Sequence, residues 1–251
     1  MKRVKVVPLL VPPDNYTYLL VCEKRALAID VTNAQALLSL IENQGVTLDY
    51  ILSTHHHSDH TLGNVEVKKA TGCKILGLDE RIPGISKVLS DGEVVQFCSE
   101  EIRTLHVPGH TKHQAAFYLP SQGQLFTGDT LFGAGCGRLF ECGPEKMYSS
   151  LLMLSKLPEE TSVYFGHEYT KENLDFASAI EPQNPDIVKR LLVENDRLSA
   201  NKYTTPSTIA LEKSTNPFLR CNEQSVRREL DMVGRSPVAV FTELRKRKDK
   251  W

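Results

Sequence analysis

The chain has 251 residues, 41% of them hydrophobic and 24% charged, which is enough apolar material for one large domain, or a catalytic domain with a smaller appendage. Thirty Lys and Arg against 31 Asp and Glu leave a formal net charge of −1, which argues against the basic field of a nucleic-acid or membrane-surface protein. No stretch reaches the roughly 18 uninterrupted apolar residues of a membrane helix, the apolar run near the N-terminus is too short for an export signal, and six cysteines without a CxxC pair point to reduced thiols in the cytoplasm.

In chain order, residues 4–7, 16–22 and 26–30 are β-rich runs broken by Pro12-Pro13-Asp14-Asn15 and by Glu23-Lys24-Arg25. Thr32-Asn33 offers an N-cap for an amphipathic helix to about residue 43, stopped by Gly45. Residues 48–53 predict a buried strand that runs straight into Thr54-His55-His56-His57-Ser58-Asp59-His60. A helix is predicted over 62–70, and strands over 74–76, 94–97, 102–107, 115–119 and 124–127. Pro144 opens a helix that ends near 157, 162–165 is another strand, and helices follow over 173–179, 186–200, 223–232 and 238–248. Strands and helices in the first two-thirds, then helices alone, imply an α/β or α+β core with a helical appendage beyond about 170 to 180.

Four of the eight histidines fall within residues 55–60. His55 and His57 are two apart, so in extended chain they point the same way. Asp59 and His60 follow where the next helix begins and can face the same small cavity. This single segment therefore supplies two pairs of ligands, where a solvated histidine cluster would show no such placement at a strand end. His110, Asp129 and His167 each follow a glycine at the end of a predicted strand, where glycine allows a sharp turn or a close approach. Imidazole and carboxylate donors suit two divalent ions, with zinc the first expectation and iron or manganese accepted by the same ligands. The expected cage places His55, His57 and His110 on one ion, Asp59, His60 and His167 on the other, and Asp129 between them. His56 points away from its neighbours, and His106, His113 and Cys136 are not assigned to metal. The run Arg245-Lys246-Arg247-Lys248-Asp249-Lys250 is either a solvated helix end favoured by the helix dipole or a seat for a small anion.

These residues resemble the metallo-β-lactamase superfamily, and within it glyoxalase II, the hydroxyacylglutathione hydrolases. The narrower likeness rests on THHHSDH at 54–60, TGDTLFGAGCG at 127–137 and GHEYT at 166–170, with Thr205-Pro206-Ser207-Thr208 and Asn216-Pro217-Phe218-Leu219-Arg220 further on. It covers essentially the whole chain. The resemblance implies an α+β fold, an αββα sandwich with a C-terminal helical domain, divided into a catalytic domain at 1–172 and a substrate-binding domain at 173–251. It implies hydrolysis of S-D-lactoylglutathione to D-lactate and glutathione by a monomer that needs neither nucleic acid nor membrane. Asp59 and Asp129 are then the carboxylates of the catalytic centre, and Arg138, Phe140, Tyr169, Asn173, Arg245 and Lys248 contact the glutathione moiety.

Two departures stand out: Phe140 replaces a common tyrosine, and His110-Thr111-Lys112-His113-Gln114 replaces the usual HTxGH. The expected chemistry is attack on the thioester carbonyl by a hydroxide held between the ions. A thiolate leaving group needs no strong general acid, and no Ser-His-Asp pattern offers a covalent route. A one-iron glutathione persulfide dioxygenase is the rival within the superfamily, and a non-catalytic metal-binding module the rival outside enzymes.

Overall fold

The computed structural model describes residues 4–251, so the first three residues of the N-terminal run discussed above lie outside the described residues. One compact unit consists of the chain up to His106 together with His113–Gly128. Its first sheet holds β1 (Lys5–Val11), β2 (Asn15–Cys22), β3 (Arg25–Ile29), β4 (Thr47–Leu52), β5 (Lys74–Gly77) and β6 (Lys87–Val88), side by side in that order. The first three strands pair antiparallel through tight turns. From β3 to β6 the pairing is parallel, which requires a crossover between strands.

Helix α1 (Ala34–Gln44) makes the first crossover. The Asn33 side chain accepts from the Ala36 amide at its start, and Gly45 ends it at φ 62, a left-handed conformation that glycine adopts without a Cβ penalty. Leu37 and Ile41 of α1 pack on Ala26, Ala28, Leu48 and Ile51 of the sheet, each buried large aliphatic contributing about 1.5–3 kcal/mol. The second crossover carries α2 (Ser58–Thr61) and α3 (Asn64–Thr71); α3 is the helix expected over 62–70, starting two residues later, and the short α2 precedes it.

The second sheet of this unit is an antiparallel meander of β7 (Val94–Phe97), β8 (Glu100–His106), β9 (Ala115–Leu119) and β10 (Gln124–Gly128). Central strand β9 is buried along its whole length, whereas β7 alternates exposed and buried residues, as expected for half-covered strands nearer an edge.

The other unit comprises Val107–Lys112 and Asp129–Trp251. It contains the small hairpin β11 (Leu131–Phe132) and β12 (Gly135–Cys136), helix α4 (Pro144–Leu154), and β13 (Ser162–Phe165) paired antiparallel with β14 (Ser207–Thr208). Helices α5 (Thr170–Ile180), α6 (Pro185–Ser199), α7 (Ile209–Thr215), α8 (Gln224–Glu229) and α9 (Pro237–Lys248) complete it. Its aromatic core runs from Phe176 to Phe218 (6.1 Å between ring centres), Phe241 (5.7 Å from Phe218) and Tyr148 (5.6 Å from Phe241). A buried polar knot lies beside it: the Arg190 guanidinium donates to Glu212 Oε1 at 2.7 Å and to Thr215 Oγ1 at 2.6 Å. The five helical stretches expected after Pro144 are all present. Helix α7 and the hairpin were not foreseen.

Candidate metal centre

In the first unit strand β4, buried at its C-terminal end, delivers Thr54 and His55, both fully buried, into the loop that follows. Asp30 stands just past β3 at φ 51 and is itself buried. Its carboxylate accepts from the Thr54 amide at 2.7 Å, from the Thr54 hydroxyl at 2.8 Å and from His60 Nδ1 at 2.9 Å. Because the Thr54 hydroxyl gives its proton to Asp30, it accepts from His55 Nδ1, 3.0 Å away. In the neutral form that binds metal, both imidazoles therefore carry their proton on Nδ1 and leave Nε2 unprotonated.

The unprotonated Nε2 of His55 lies 3.1 Å from His57 Nδ1, and that of His60 lies 3.5 Å from Asp59 Oδ2. Two ligands of one tetrahedral zinc at 2.0–2.1 Å sit roughly 3.3 Å apart, so both spacings suit a shared ion. Asn15 Nδ2 donates to Asp59 Oδ2 at 3.2 Å and to its carbonyl at 3.1 Å, steadying that carboxylate on an exposed helix start. His56 turns toward Asp79 at 3.2 Å, away from the pair on either side of it, as its spacing predicts. His106 and His113 stack on each other with ring centres 6.3 Å apart.

The second unit repeats the device. His110 Nδ1 donates to the Arg138 carbonyl at 2.9 Å, leaving Nε2 unprotonated and 3.4 Å from Asp129 Oδ2. His167, two residues past β13, brings its Nε2 to 3.3 Å from the same oxygen. One carboxylate oxygen thus faces two imidazole nitrogens. An unprotonated nitrogen and a carboxylate oxygen are both acceptors, and a cation between them turns repulsion into coordination. The donor set therefore fits divalent metal in each unit. Tyr169 lies flat on the His167 ring, with centres 4.7 Å apart and planes 3° apart. A Cβ on Gly137 would stand 2.0 Å from the Asp129 carbonyl, so no larger residue fits beside this ligand without moving it.

The residues expected to contact substrate divide by burial. Arg138 and Phe140 are exposed, the Phe140 ring tilted 66° to the His110 ring with centres 5.1 Å apart. Asn173 is buried and donates to the Gly133 carbonyl at 3.0 Å. Arg245 is only 4% exposed; its guanidinium donates to the Cys136 carbonyl at 2.8 Å and pairs with Asp249 at 2.9 Å. Lys248 donates to the Glu172 carbonyl at 3.0 Å and lies over the Phe176 ring. Burial pulls its ammonium down to about 8, and the positive charges of Arg245 and Arg138 add to the effect against Glu172 and Asp175. Burial likewise pushes the Cys136 thiol up to about 11, which keeps it protonated and agrees with leaving it out of the cage.

Residues 16–167 match the metallo-beta-lactamase superfamily and residues 168–251 match the hydroxyacylglutathione hydrolase C-terminus. A protein of Brucella anthropi named hydroxyacylglutathione hydrolase is 41% identical, over 98% of this chain and 97% of its own. One of Brucella ovis with the same name is 42% identical, over 99% of this chain and 98% of its own. The chain belongs to the hydroxyacylglutathione hydrolase family. Its fold is accordingly the metallo-β-lactamase fold of mixed sheets and helices with the C-terminal region of that family. ETHE1 from Myxococcus xanthus shares this fold at a TM-score of 0.70 and 24% identity, over 96% of this chain and 90% of its own. TTHA1623, solved in a di-iron-bound form, aligns at 0.64 and 26% identity over 85% of this chain and 100% of its own.

Sequence reasoning named the members of each candidate ligand pair but not Asp30 or Thr54, which fix Nδ1 of His60 and His55 as the donor. The only sequence signal for Asp30 is an acid closing an otherwise apolar strand, Ala26-Leu27-Ala28-Ile29-Asp30.

Proposed function

We propose that the chain hydrolyses S-2-hydroxyacylglutathione thioesters, S-D-lactoylglutathione foremost, to D-lactate and glutathione. The observation that carries this reading is the set of histidines that give Nδ1–H to the protein and turn an unprotonated Nε2 toward carboxylate or imidazole. It occurs in a chain 41–42% identical to proteins named hydroxyacylglutathione hydrolase. His55, His57 and His110 would hold one ion and Asp59, His60 and His167 a second, with the Asp129 carboxylate available to both. Bound there, two divalent ions, zinc first and iron or manganese accepted by the same donors, would supply a nucleophile at neutral pH and polarise the thioester carbonyl.

The chain's own residues supply the rest. Asp30 and the Arg138 carbonyl orient His60 and His110, so the Nε2 donors are in place before substrate arrives. The glutathione thiolate leaves without a strong acid. Residues 1–172 act as the catalytic domain and 173–251 as the substrate-binding domain; Arg245 and Lys248 of the latter, together with Arg138 of the former, form the positive region for a glycyl carboxylate. Tyr169 and Asn173 line the same end, and Phe140 offers a ring where a tyrosine would add a hydroxyl. Six cysteines that are all thiols support a reducing, cytoplasmic setting, and the enzyme works as a monomer. No described helix is long and apolar enough to cross a membrane.

Thioester loss with S-D-lactoylglutathione, measured with the metal content of the purified protein, tests this. Rapid hydrolysis with about two ions per chain is expected. Two bound ions without hydrolysis discard the substrate, and one iron with oxygen uptake moves the chain to the persulfide dioxygenases.

Lys248 adds a pH dependence. Below about 8 its ammonium donates to the substrate carboxylate, and above that the amine is neutral and the attraction is lost. For the free enzyme, kcat/KM therefore falls as pH rises through 8. Lys248→Arg moves the fall upward, while Lys248→Ala raises KM about tenfold or more with kcat nearly unchanged. Steady-state kinetics between pH 6 and about 10 decide; a Lys248→Ala enzyme with unaltered KM contradicts the assignment.

A further inference from the structure

The segment between Asp129 and Arg138 is a hairpin whose strands are two residues each, too short to hold its own shape. Four successive backbone groups of it are tied instead by side chains from elsewhere in the same unit. Asn173 donates to the Gly133 carbonyl at 3.0 Å, and Glu212 Oε2 accepts from the Ala134 amide at 2.8 Å. Asn216 donates to the Gly135 carbonyl at 2.9 Å, and Arg245 donates to the Cys136 carbonyl at 2.8 Å. Ala134 stands at φ 54, a left-handed conformation that costs a non-glycine residue and persists only when its surroundings impose it. What imposes it is a fully buried carboxylate, itself fixed by Arg190 and by the Ser207 hydroxyl at 2.5 Å.

One end of this hairpin presents Asp129 to His110 and His167. The other presents the Arg138 side chain to solvent and the Arg138 carbonyl to His110. Displacements of about 1 Å at such groups change rates by roughly 10²-fold. We infer that Glu212 and Asn216 are positioning residues, which touch neither metal nor substrate but hold the 132–136 turn so that Arg138 meets the substrate carboxylate. The substrate part of this inference rests on the thioesterase reading; the structural part does not.

Asn216→Ala is the first variant, because it leaves the Arg190–Glu212 pair intact. Hydrogen exchange on the whole protein is expected to show peptides across 131–138 exchanging at least roughly tenfold faster, with β-sheet peptides unchanged. Asn216→Ser, which keeps a side-chain oxygen for the Phe218 amide and leaves the Glu212 carboxylate to Arg190, gives a change in the same direction and replaces Asn216→Ala if that variant does not fold. For activity, kcat/KM on S-D-lactoylglutathione should fall about tenfold, chiefly through KM. The D-lactoyl thioester of N-acetylcysteamine, which lacks the glycyl carboxylate, should lose much less. Unchanged exchange over 131–138 in a folded variant, or equal losses on both thioesters, would overturn the inference. A wild-type enzyme inactive on both thioesters refutes the thioesterase reading alone, and the exchange result then decides the positioning role.

Discussion

An Asp129→Ala enzyme is expected to lose most of its bound metal and nearly all of its hydrolytic rate. Oδ2 of Asp129 faces two candidate ligand nitrogens, 3.4 Å from His110 Nε2 and 3.3 Å from His167 Nε2. In the two-ion centre proposed above, two cations close together would repel strongly unless an anion lay between them, so removing this charge would weaken both positions at once. Loss of a group that only orients a ligand costs about 10–100-fold in metal affinity or activity, and loss of the shared ligand itself should exceed that. Asp129→Asn separates shape from charge: it keeps the side chain's outline and still loses metal. Metal content by atomic spectrometry, alongside thioester hydrolysis, reads both effects, and full occupancy in Asp129→Ala would refute the bridging role.

Replacing Asp30 by alanine should damage stability and metal binding together. Three donors converge on its buried carboxylate: the Thr54 amide, the Thr54 hydroxyl and His60 Nδ1. Each buried donor left unsatisfied costs about 1–3 kcal/mol, so thermal unfolding should move down by many degrees. The Thr54 hydroxyl, released from Asp30, no longer has to accept from His55, and His60 no longer has to keep its proton on Nδ1. Both histidines then pay for the correct tautomer when metal binds, and affinity should fall roughly 10–100-fold. Asp30→Asn is the informative companion, since it retains an acceptor oxygen but sets an NH₂ group against at least one existing donor. A metal titration on folded Asp30→Asn that matched the wild type would remove Asp30 from the centre's design.

The candidate ligand residues could be named from the sequence because their signals are local. His55, His57, Asp59 and His60 lie within six positions at the end of an apolar run, and His110, Asp129 and His167 each follow a glycine. The main helices were legible for a similar reason: caps such as Asn33 and stops such as Gly45 act within one turn. The same local evidence left the basic C-terminal run ambiguous. Tertiary structure separates its members, burying Arg245 against the Cys136 carbonyl while Arg247 forms an exposed pair with Glu243.

What only the tertiary structure decided are the groups that act across the chain. Asp30 reaches Thr54 over 24 positions, Glu212 reaches Ala134 over 78, and Asn216 reaches Gly135 over 81. Helix α7 hid itself because its fully buried Glu212 interrupts the apolar period that marks a helix, and β11 and β12 are too short to show any period. Residue type and spacing determine which side chains are able to bind metal. Which proton each histidine carries, and where the hairpin beside Asp129 is held, depend on buried hydrogen bonds whose partners no local pattern connects.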